Sequence, residues 1–364
     1  MWKETALRRV RGMRVVAVLA IGGLALSAAA CGSKPASNNG SSGGKKYKAC
    51  MVTDTGGIDD KSFNTSAWAG LQAAKKDNAD IDIKYVTSAA ETNYEPNLNA
   101  LVAEKCDLVV AVGGLMSDAT KAAATKNTSQ KFAIIDSKID LANVYSMQFN
   151  TAQAGFLAGY LAAGTSKSGT VATWGGLKIP PVTIFMDGFA EGVAEYNKVK
   201  SKTVKVLGWD NKTQEGTFAG SFNDQNKGKQ ITDGFVAQGA DVVMPVAGGA
   251  GQGSAAAAQA SGGKLAVIWV DQDGCNSVAQ YCPVFLSTVV KNISDAVKDA
   301  ALKGAKGESL TGSYTGTLAN NGVSLAPFHE FDSKVPADLK KELDQLKADI
   351  GSGKIKIESP AQPK

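Results

Sequence analysis

An α/β fold built as two lobes is the architecture this sequence predicts, and three observations predict it. Apolar runs rich in Val, Ile and aromatic residues alternate with segments of helical spacing, the pattern of parallel sheets covered by helices on both faces. The alternation runs from residue 48 to about 150 and then restarts. Forty glycines, several in pairs just after an apolar run, supply the tight turns between strand and helix that such a fold needs.

In order, the first series places strands over 48–53, 81–86, 108–112, 132–136 and 144–149. Between them, 62–75 sets Phe63, Ala67, Leu71 and Ala74 at helical spacing. The segment 94–105 does the same with Leu98, Leu101 and Val102, and 117–126 is Ala-rich. The second series begins with a helix over 152–163 and a strand over 170–174. Pro180 and Pro181 sit just inside the start of a helix reaching about residue 196, a favoured place for proline. Strands over 204–209, 242–245 and 265–270 then alternate with helices over 227–238 and 251–260. A strand over 285–289, a helix over 294–302, short strands within 311–331 and a helix over 335–351 complete the chain, the last with Leu339, Leu343 and Leu346 on one face. The lobes are expected at 47–150 with about 271–307, and at 151–270 with about 308–360. Crossings fall near 148–151, 269–273 and 307–325.

The N-terminus reads as an export signal. Lys3, Arg8, Arg9, Arg11 and Arg14 precede an apolar stretch ending Leu26-Ser27-Ala28-Ala29-Ala30-Cys31, with Met13 as an alternative start. A basic region, an apolar core and a small-residue cleavage site make a secretory signal. Cys31 after three alanines resembles a bacterial lipobox, so residues 1–30 are expected to be removed and Cys31 lipidated; plain secretion is the alternative. Residues 31–46, after Cys31 almost entirely Gly, Ser, Asn, Lys and Pro, read as a flexible tether holding a soluble domain on a membrane by its lipid.

Five basic and one acidic residue lie in 1–30, so of the formal net charge of +5 only about +1 belongs to the rest. That leaves no basic excess to suggest nucleic acid. Five cysteines become four once Cys31 is set aside, an even number in an exported protein. The expected pairs are Cys275–Cys282, around a short polar loop, and Cys50–Cys106, in the first series; four buried thiols are the alternative.

The candidate chemistry is narrow. One histidine, His329, would have to serve any Ser-His-Asp or His-ligated metal site. The lone G-x-S-x-G, Gly40 to Gly44, lies in the tether, and no phosphate-binding G-x-x-x-x-G-K-[ST] occurs. Asp271-Gln272-Asp273-Gly274 opens like a calcium loop, but Cys275 and Cys282 stand at its fifth and twelfth positions. Neither metal nor cofactor is expected. What remains gathers at the C-terminal ends of strands, the edge where open α/β sheets bind ligands. Asp54, Gly113-Gly114 and Asp136 stand there in the first series; Gly175-Gly176, Gly248-Gly249, Asp271 and Asp273 do so in the second. The stretch from Thr53 to Asn64 crowds carboxylates, an amide and an ammonium against Phe63, and reads either as a ligand loop or as an ordinary turn. Carboxylates with one nearby Lys291 suit a neutral, hydroxyl-rich ligand. Phe63 and Phe222 can sandwich a flat ring.

These residues resemble a known family. Asp59-Asp60-Lys61-Ser62-Phe63-Asn64, Phe132-Ala133-Ile134-Ile135-Asp136, Gly175-Gly176-Leu177-Lys178-Ile179-Pro180-Pro181-Val182 with Asp187-Gly188-Phe189, Gly220-Ser221-Phe222-Asn223-Asp224 and Val270-Asp271-Gln272-Asp273 are similar to motifs of the basic membrane protein lipoproteins. Those are the purine-nucleoside-binding components of ABC transporters. The resemblance runs from about Lys48 to the C-terminus and implies a type I periplasmic-binding-protein fold. It also implies that Phe63 and Phe222 stack on a base, that Asp54, Asn64 and Asp136 lie at the base, and that Gly248, Asp273 and Lys291 hold the ribose. The pair Cys275 and Cys282 departs from the family's pattern. The expectation is a monomeric, lipid-anchored binder that delivers a nucleoside to a permease. A nucleoside- or sugar-sensing surface lipoprotein without a transporter is the main alternative, and a nucleoside hydrolase a remote one.

Overall fold

The computed structural model describes residues 46–363. The signal over 1–30, the lipidation of Cys31 and all but the last tether residue lie outside the described residues.

The first series runs β1 (Tyr47–Val52), α1 (Phe63–Asp77), β2 (Ile81–Val86), α2 (Tyr94–Ala103), β3 (Leu108–Val112), α3 (Ser117–Lys126), β4 (Lys131–Ile135) and β5 (Val144–Phe149). Next come α4 (Thr151–Thr165), β6 (Thr170–Gly175), α5 (Pro180–Lys200), β7 (Lys205–Leu207) and the short pair β8 (Trp209–Asp210) and β9 (Glu215–Gly216). The series continues through α6 (Gln225–Ala237), β10 (Val242–Val246), α7 (Gln252–Ala260), β11 (Ala266–Asp271), the one-turn α8 (Gly274–Ser277) and β12 (Phe285–Lys291). Last are α9 (Ile293–Ala305), β13 (Gly312–Gly316), β14 (Val323–Leu325) and α10 (Ala337–Gly351).

Two six-stranded sheets result, one ordered β13-β5-β4-β3-β1-β2 and the other β14-β12-β11-β10-β6-β7. All pairs are parallel except β12 with β14. Every residue of β3 and β10 is buried, which is why such strands read as continuous apolar runs rather than alternating ones. The expected strand over 204–209 divides into β7 and β8 at Gly208, whose φ is +82.

The lobe boundaries differ from the expected ones. β12 was expected in the first lobe but pairs with β11 in the second sheet. β13 was expected in the second but pairs with β5 in the first. The chain therefore crosses at Asn150, at Asn292 and between β13 and β14. The backbone N–H of Asn150 donates to Gly316 O at 2.8 Å and that of Asn292 to Gly322 O at 2.9 Å, so the crossing segments are tied together. For β12 the physical reason is that a strand buried on both faces carries no mark of which sheet it joins; β13 is a half-exposed edge strand, Gly312–Gly316, with no apolar run to place it.

Helices α4 and α5 pack backbone to backbone. Twelve of the fifteen residues of α4 are buried. A Cβ at Gly159 would lie 2.0 Å from Phe189 O, and one at Gly192 1.9 Å from Phe156 O, so only glycine allows the approach. Asp187, buried in α5, accepts from Trp209 Nε1 at 2.9 Å, Gln214 Nε2 at 2.7 Å and Ser359 Oγ at 2.5 Å. It thereby fixes the C-terminal tail to the second lobe. Disulfides join Cys50 to Cys106 and Cys275 to Cys282.

Candidate functional site

The C-terminal ends of both sheets open on one cleft, where α/β folds of this kind bind ligands. About 550 Å³ of empty space lies there, mouth included. The shape is a narrow slot lined by residues of both lobes.

The motif from Asp59 to Asn64 builds the first wall, and each residue has a separate task. Asp60 is buried and its carboxylate accepts from the backbone N–H groups of Ser62 at 3.0 Å, Asn64 at 2.7 Å and Thr65 at 3.0 Å. It thus satisfies the donors that the first turn of α1 leaves unpaired, with its charge at the positive end of the helix. Asn64 donates from Nδ2 to Asp54 Oδ1 at 2.7 Å and to Asp60 Oδ2 at 3.0 Å, and its Oδ1 accepts from Asp54 N at 3.2 Å. Asp54 Oδ1 also takes the Gly56 N–H at 2.8 Å. Asp54 Oδ2 carries no protein hydrogen bond among the described residues, and Asp54 lines the slot. Lys61 holds a surface ion pair with Asp59. Phe63, the first residue of α1, supplies an aromatic wall.

The second wall is mostly apolar. Pro181, Val182 and Phe185 of α5 face the slot, with Phe222 and the turn at Gly248. Phe222 packs against Gly176, where a Cβ would come within 2.3 Å of its ring. Two polar groups of this lobe reach across. Lys291, at the end of β12, meets Asp136 Oδ2 at 2.5 Å, with only 2% of its side chain exposed. Its ammonium also lies 5.0 Å from the centre of the Phe63 ring and 5.7 Å from that of Phe185, within cation–π range. Asp271, the last residue of β11, accepts from Ser62 Oγ at 2.6 Å. A third bridge runs from Asn223 Nδ2 to Thr55 O at 2.5 Å. Asp136 and Asp271 are each held at positive φ, +64 and +68. This conformation is costly for a residue with a Cβ, and it collects at functional sites.

Burial governs the charges. It pushes Asp54 up to about 7, although the Asn64 bond pulls the other way. It pushes Asp271 up to about 6 against the pull of Lys291 and Ser62. Asp60 and Asp136 are also raised by burial, Asp60 against its backbone donors and Asp136 against Lys291. Four carboxylates therefore face one ammonium in a narrow, largely apolar slot. That arrangement accepts hydrogen bonds from a ligand's N–H and O–H groups and disfavours anions.

Of the residues singled out from sequence, Asp54, Phe63, Asp136, Phe222, Gly248 and Lys291 line the slot. Asn64 stands behind it, bracing Asp54. Asp273 is not brought there. Its carboxylate caps α8, accepting from Cys275 N at 3.1 Å, and meets His329 Nε2 at 2.8 Å. The reason is that β11 ends at Asp271, so the chain has already turned away two residues later. Asp271 takes the place at the sheet edge, and its position as the strand's last residue was the available signal. Asp60 was also missed as a lining residue; the following Ser62 and Asn64 read as turn residues rather than as donors to it.

Two parallel-sheet lobes closing on one slot define a solute-binding protein of the type I periplasmic-binding fold. The chain belongs to the Bmp family, ABC transporter substrate-binding proteins of the PnrA-like kind, whose model matches residues 47–359. It is 34% identical to the ABC transporter nucleoside-binding protein BmpA of Lactococcus lactis, over 95% of this chain and 99% of that protein. It is 32% identical to the CD4+ T-cell-stimulating antigen of Listeria monocytogenes, over 88% and 89%. Among solved structures, a solute-binding protein of an ABC transporter system from Aeropyrum pernix superposes with a TM-score of 0.77 at 25% identity, covering 86% of this chain and 94% of that one.

Proposed function

We propose that this substrate-binding protein captures a nucleoside, purine in preference, at the outer face of the cell membrane and passes it to an ABC permease. Lipidation of Cys31 would hold it there. The observation that carries the reading is the slot itself: an aromatic ring on each wall, Phe63 and Phe222, with carboxylates at its edges and, among the described residues, its one lining cation, Lys291, already paired with Asp136. In this reading the two rings flank the base. The open oxygen of Asp54, with Asp136, accepts base N–H groups. Asp271, in place of Asp273, takes ribose hydroxyls with Lys291 and the Gly248 turn. The relative from Lactococcus lactis, named as a nucleoside-binding protein, supports the ligand class. The bridges Lys291–Asp136, Ser62–Asp271 and Asn223–Thr55 belong to the closed form. A ligand that touches both walls favours that form, by a population shift toward closure. No covalent step is involved.

Isothermal titration calorimetry tests this directly, on protein stripped of carried-over ligand by unfolding and refolding. Adenosine, guanosine and inosine bind tightly; ribose and adenine bind at least a hundredfold more weakly. Failure of all nucleosides, uridine included, removes the nucleoside reading and leaves the fold and family standing. Replacing Cys31 by Ala moves the protein from the membrane fraction to the medium; retention in the membrane refutes the anchor.

A further inference from the structure

We propose that Asp273, Cys275, Cys282 and His329 form a zinc site that becomes available when the Cys275–Cys282 disulfide is reduced. The chain has a single histidine, and the fold brings it to this point from beyond β14. His329 Nε2 lies 2.8 Å from Asp273 Oδ2. Ligand atoms of Asp273, Cys275 and His329 all fall within 4.8 Å of one another, and Cys275 is bonded to Cys282. Two thiolates, an imidazole and a carboxylate are zinc's ordinary ligands, and four of them complete a structural site. None of the four residues lines the slot.

A second observation singles out the same place. His329 is held at φ +43, in the left-handed region that a residue with a Cβ keeps only where its surroundings impose it. Asp273 is also fixed. One carboxylate oxygen takes the Cys275 N–H at 3.1 Å, and the other takes Asn276 Nδ2 at 3.2 Å as well as facing His329. The ligands are therefore positioned without a metal.

The rearrangement is small. In a tetrahedral zinc site the ligand atoms lie roughly 3.3–3.8 Å apart, given zinc–sulfur and zinc–nitrogen distances of about 2.3 and 2.0 Å. The imidazole and carboxylate would separate slightly. The sulfurs would part once their bond is broken, on α-carbons only 4.5 Å apart. While the disulfide is closed, only Asp273 and His329 remain, too few to hold zinc. The reductant is a dithiol: its two electrons open the bond, it closes to its own disulfide, and the two freed thiols lose their protons to the solvent as zinc binds. Access favours this pair. Cys275 and Cys282 are partly exposed, whereas Cys50 and Cys106 are 0% and 2% exposed.

The test uses the full chain under inert gas, reduced with a phosphine, which takes an oxygen from water as it supplies two electrons and, unlike a dithiol, does not sequester the metal. Alkylation and peptide mass mapping identify which pair has opened, and far-ultraviolet circular dichroism verifies that the fold is kept. Zinc chloride is then titrated against a chromophoric chelator. One zinc is expected per reduced chain and none per oxidised chain. Affinity falls at least tenfold in His329→Ala and is lost in the double change Cys275→Ser, Cys282→Ser. Equal binding by oxidised and reduced chains overturns the proposal. So does binding in the reduced chain that ignores His329→Ala, or an outer pair that cannot be opened without unfolding the protein.

Discussion

The two walls of the cleft are built on opposite plans. On the first wall, two of the carboxylates are held by donors of their own lobe: Asp54 by Gly56 and Asn64, Asp60 by Ser62, Asn64 and Thr65. On the second, the side-chain hydrogen bonds of both charged groups among the described residues run across the gap, Lys291 to Asp136 and Asp271 from Ser62. Asp54 and Asp60 are thus held without help from the other lobe, whereas Asp136 is not. The hydrogen bonds of the second wall's charged groups need the lobes to meet. Recognition and closure are thus divided between the lobes, and substitutions on the two walls should fail in different ways.

The largest effect is expected from Lys291→Met. Removing one partner of a buried ion pair costs roughly 3–5 kcal/mol, and here the loss falls on the closed state, because an open cleft rehydrates Asp136. Nucleoside affinity should drop at least a hundredfold, and small-angle scattering should show no compaction on adding ligand. The thermal midpoint of the unliganded protein should shift little. A large loss of that midpoint with affinity intact would mean that the pair holds the fold rather than the closure.

Asp54→Asn probes the prebuilt wall and should act in the opposite sense on stability. Burial raises this group to about 7 in the folded chain, against about 3.9 unfolded. Between those values the folded state holds a proton that the unfolded chain has released. Stability is therefore fully present below about pH 4 and falls as pH rises toward 7. Asparagine removes the penalty. Its Oδ1 can still accept from Gly56 and Asn64, and its Nδ2 replaces the oxygen that has no protein partner. At pH 8 the unliganded variant should be more stable by roughly 2–4 kcal/mol. Its nucleoside affinity should be lower and flat in pH, whereas the parent's falls by up to about tenfold per pH unit below 7 as the acceptor is protonated. A parent affinity that does not change between pH 6 and 8 would remove Asp54 from the base.

The aromatic pair gives a smaller, matched effect. Phe63→Ala and Phe222→Ala should each cost roughly 1–3 kcal/mol if each ring stacks on the base. They should differ in what survives. With Phe222 gone, the first wall still offers Phe63 and Asp54, so weak binding of the free base should persist. With Phe63 gone, it should not. Titration of both variants with adenine and adenosine separates these outcomes; equal losses for both ligands in both variants would erase the distinction between the walls.

The fold was legible wherever burial dictates composition. Strands such as β3 and β10, apolar along their whole length, declare themselves, and the restart of the pattern after Phe149 marks the second lobe. The same property hid the assignment of β12, since total burial looks alike in either sheet. In the site, residue types and strand ends pointed to Asp54, Phe63, Asp136 and Lys291. What could not be read was which polar group faces the ligand and which one braces its neighbour. The division of labour among Asp60, Ser62 and Asn64 depends on the turn at Lys61, whose φ of +59 is not visible in its side chain. Asp187 was noticed only as part of a motif, yet it anchors the C-terminal tail.

The finest test of the second wall contrasts two carboxylates two residues apart. Asp271 closes β11 and reaches Ser62 of the other lobe, so its side chain belongs to the slot and to the closure. Asp273 faces the other way, bound to His329 and to the cap of α8. Replacing Asp271 by Asn leaves one acceptor oxygen for two roles, the Ser62 bridge and the proposed contact with ribose hydroxyls. Adenosine affinity should fall by roughly 1.5–3 kcal/mol, the range for hydrogen bonds to a charged group, while free adenine, which lacks the hydroxyls, loses only the share due to closure. Asp273→Asn removes a contact on the outer face and should leave adenosine affinity within about twofold, a difference of roughly 0.4 kcal/mol. If Asp273→Asn instead weakened adenosine as much as Asp271→Asn, the loop after β11 would have to turn inward when ligand binds, and the second wall would be remade by closure rather than merely brought up to the first.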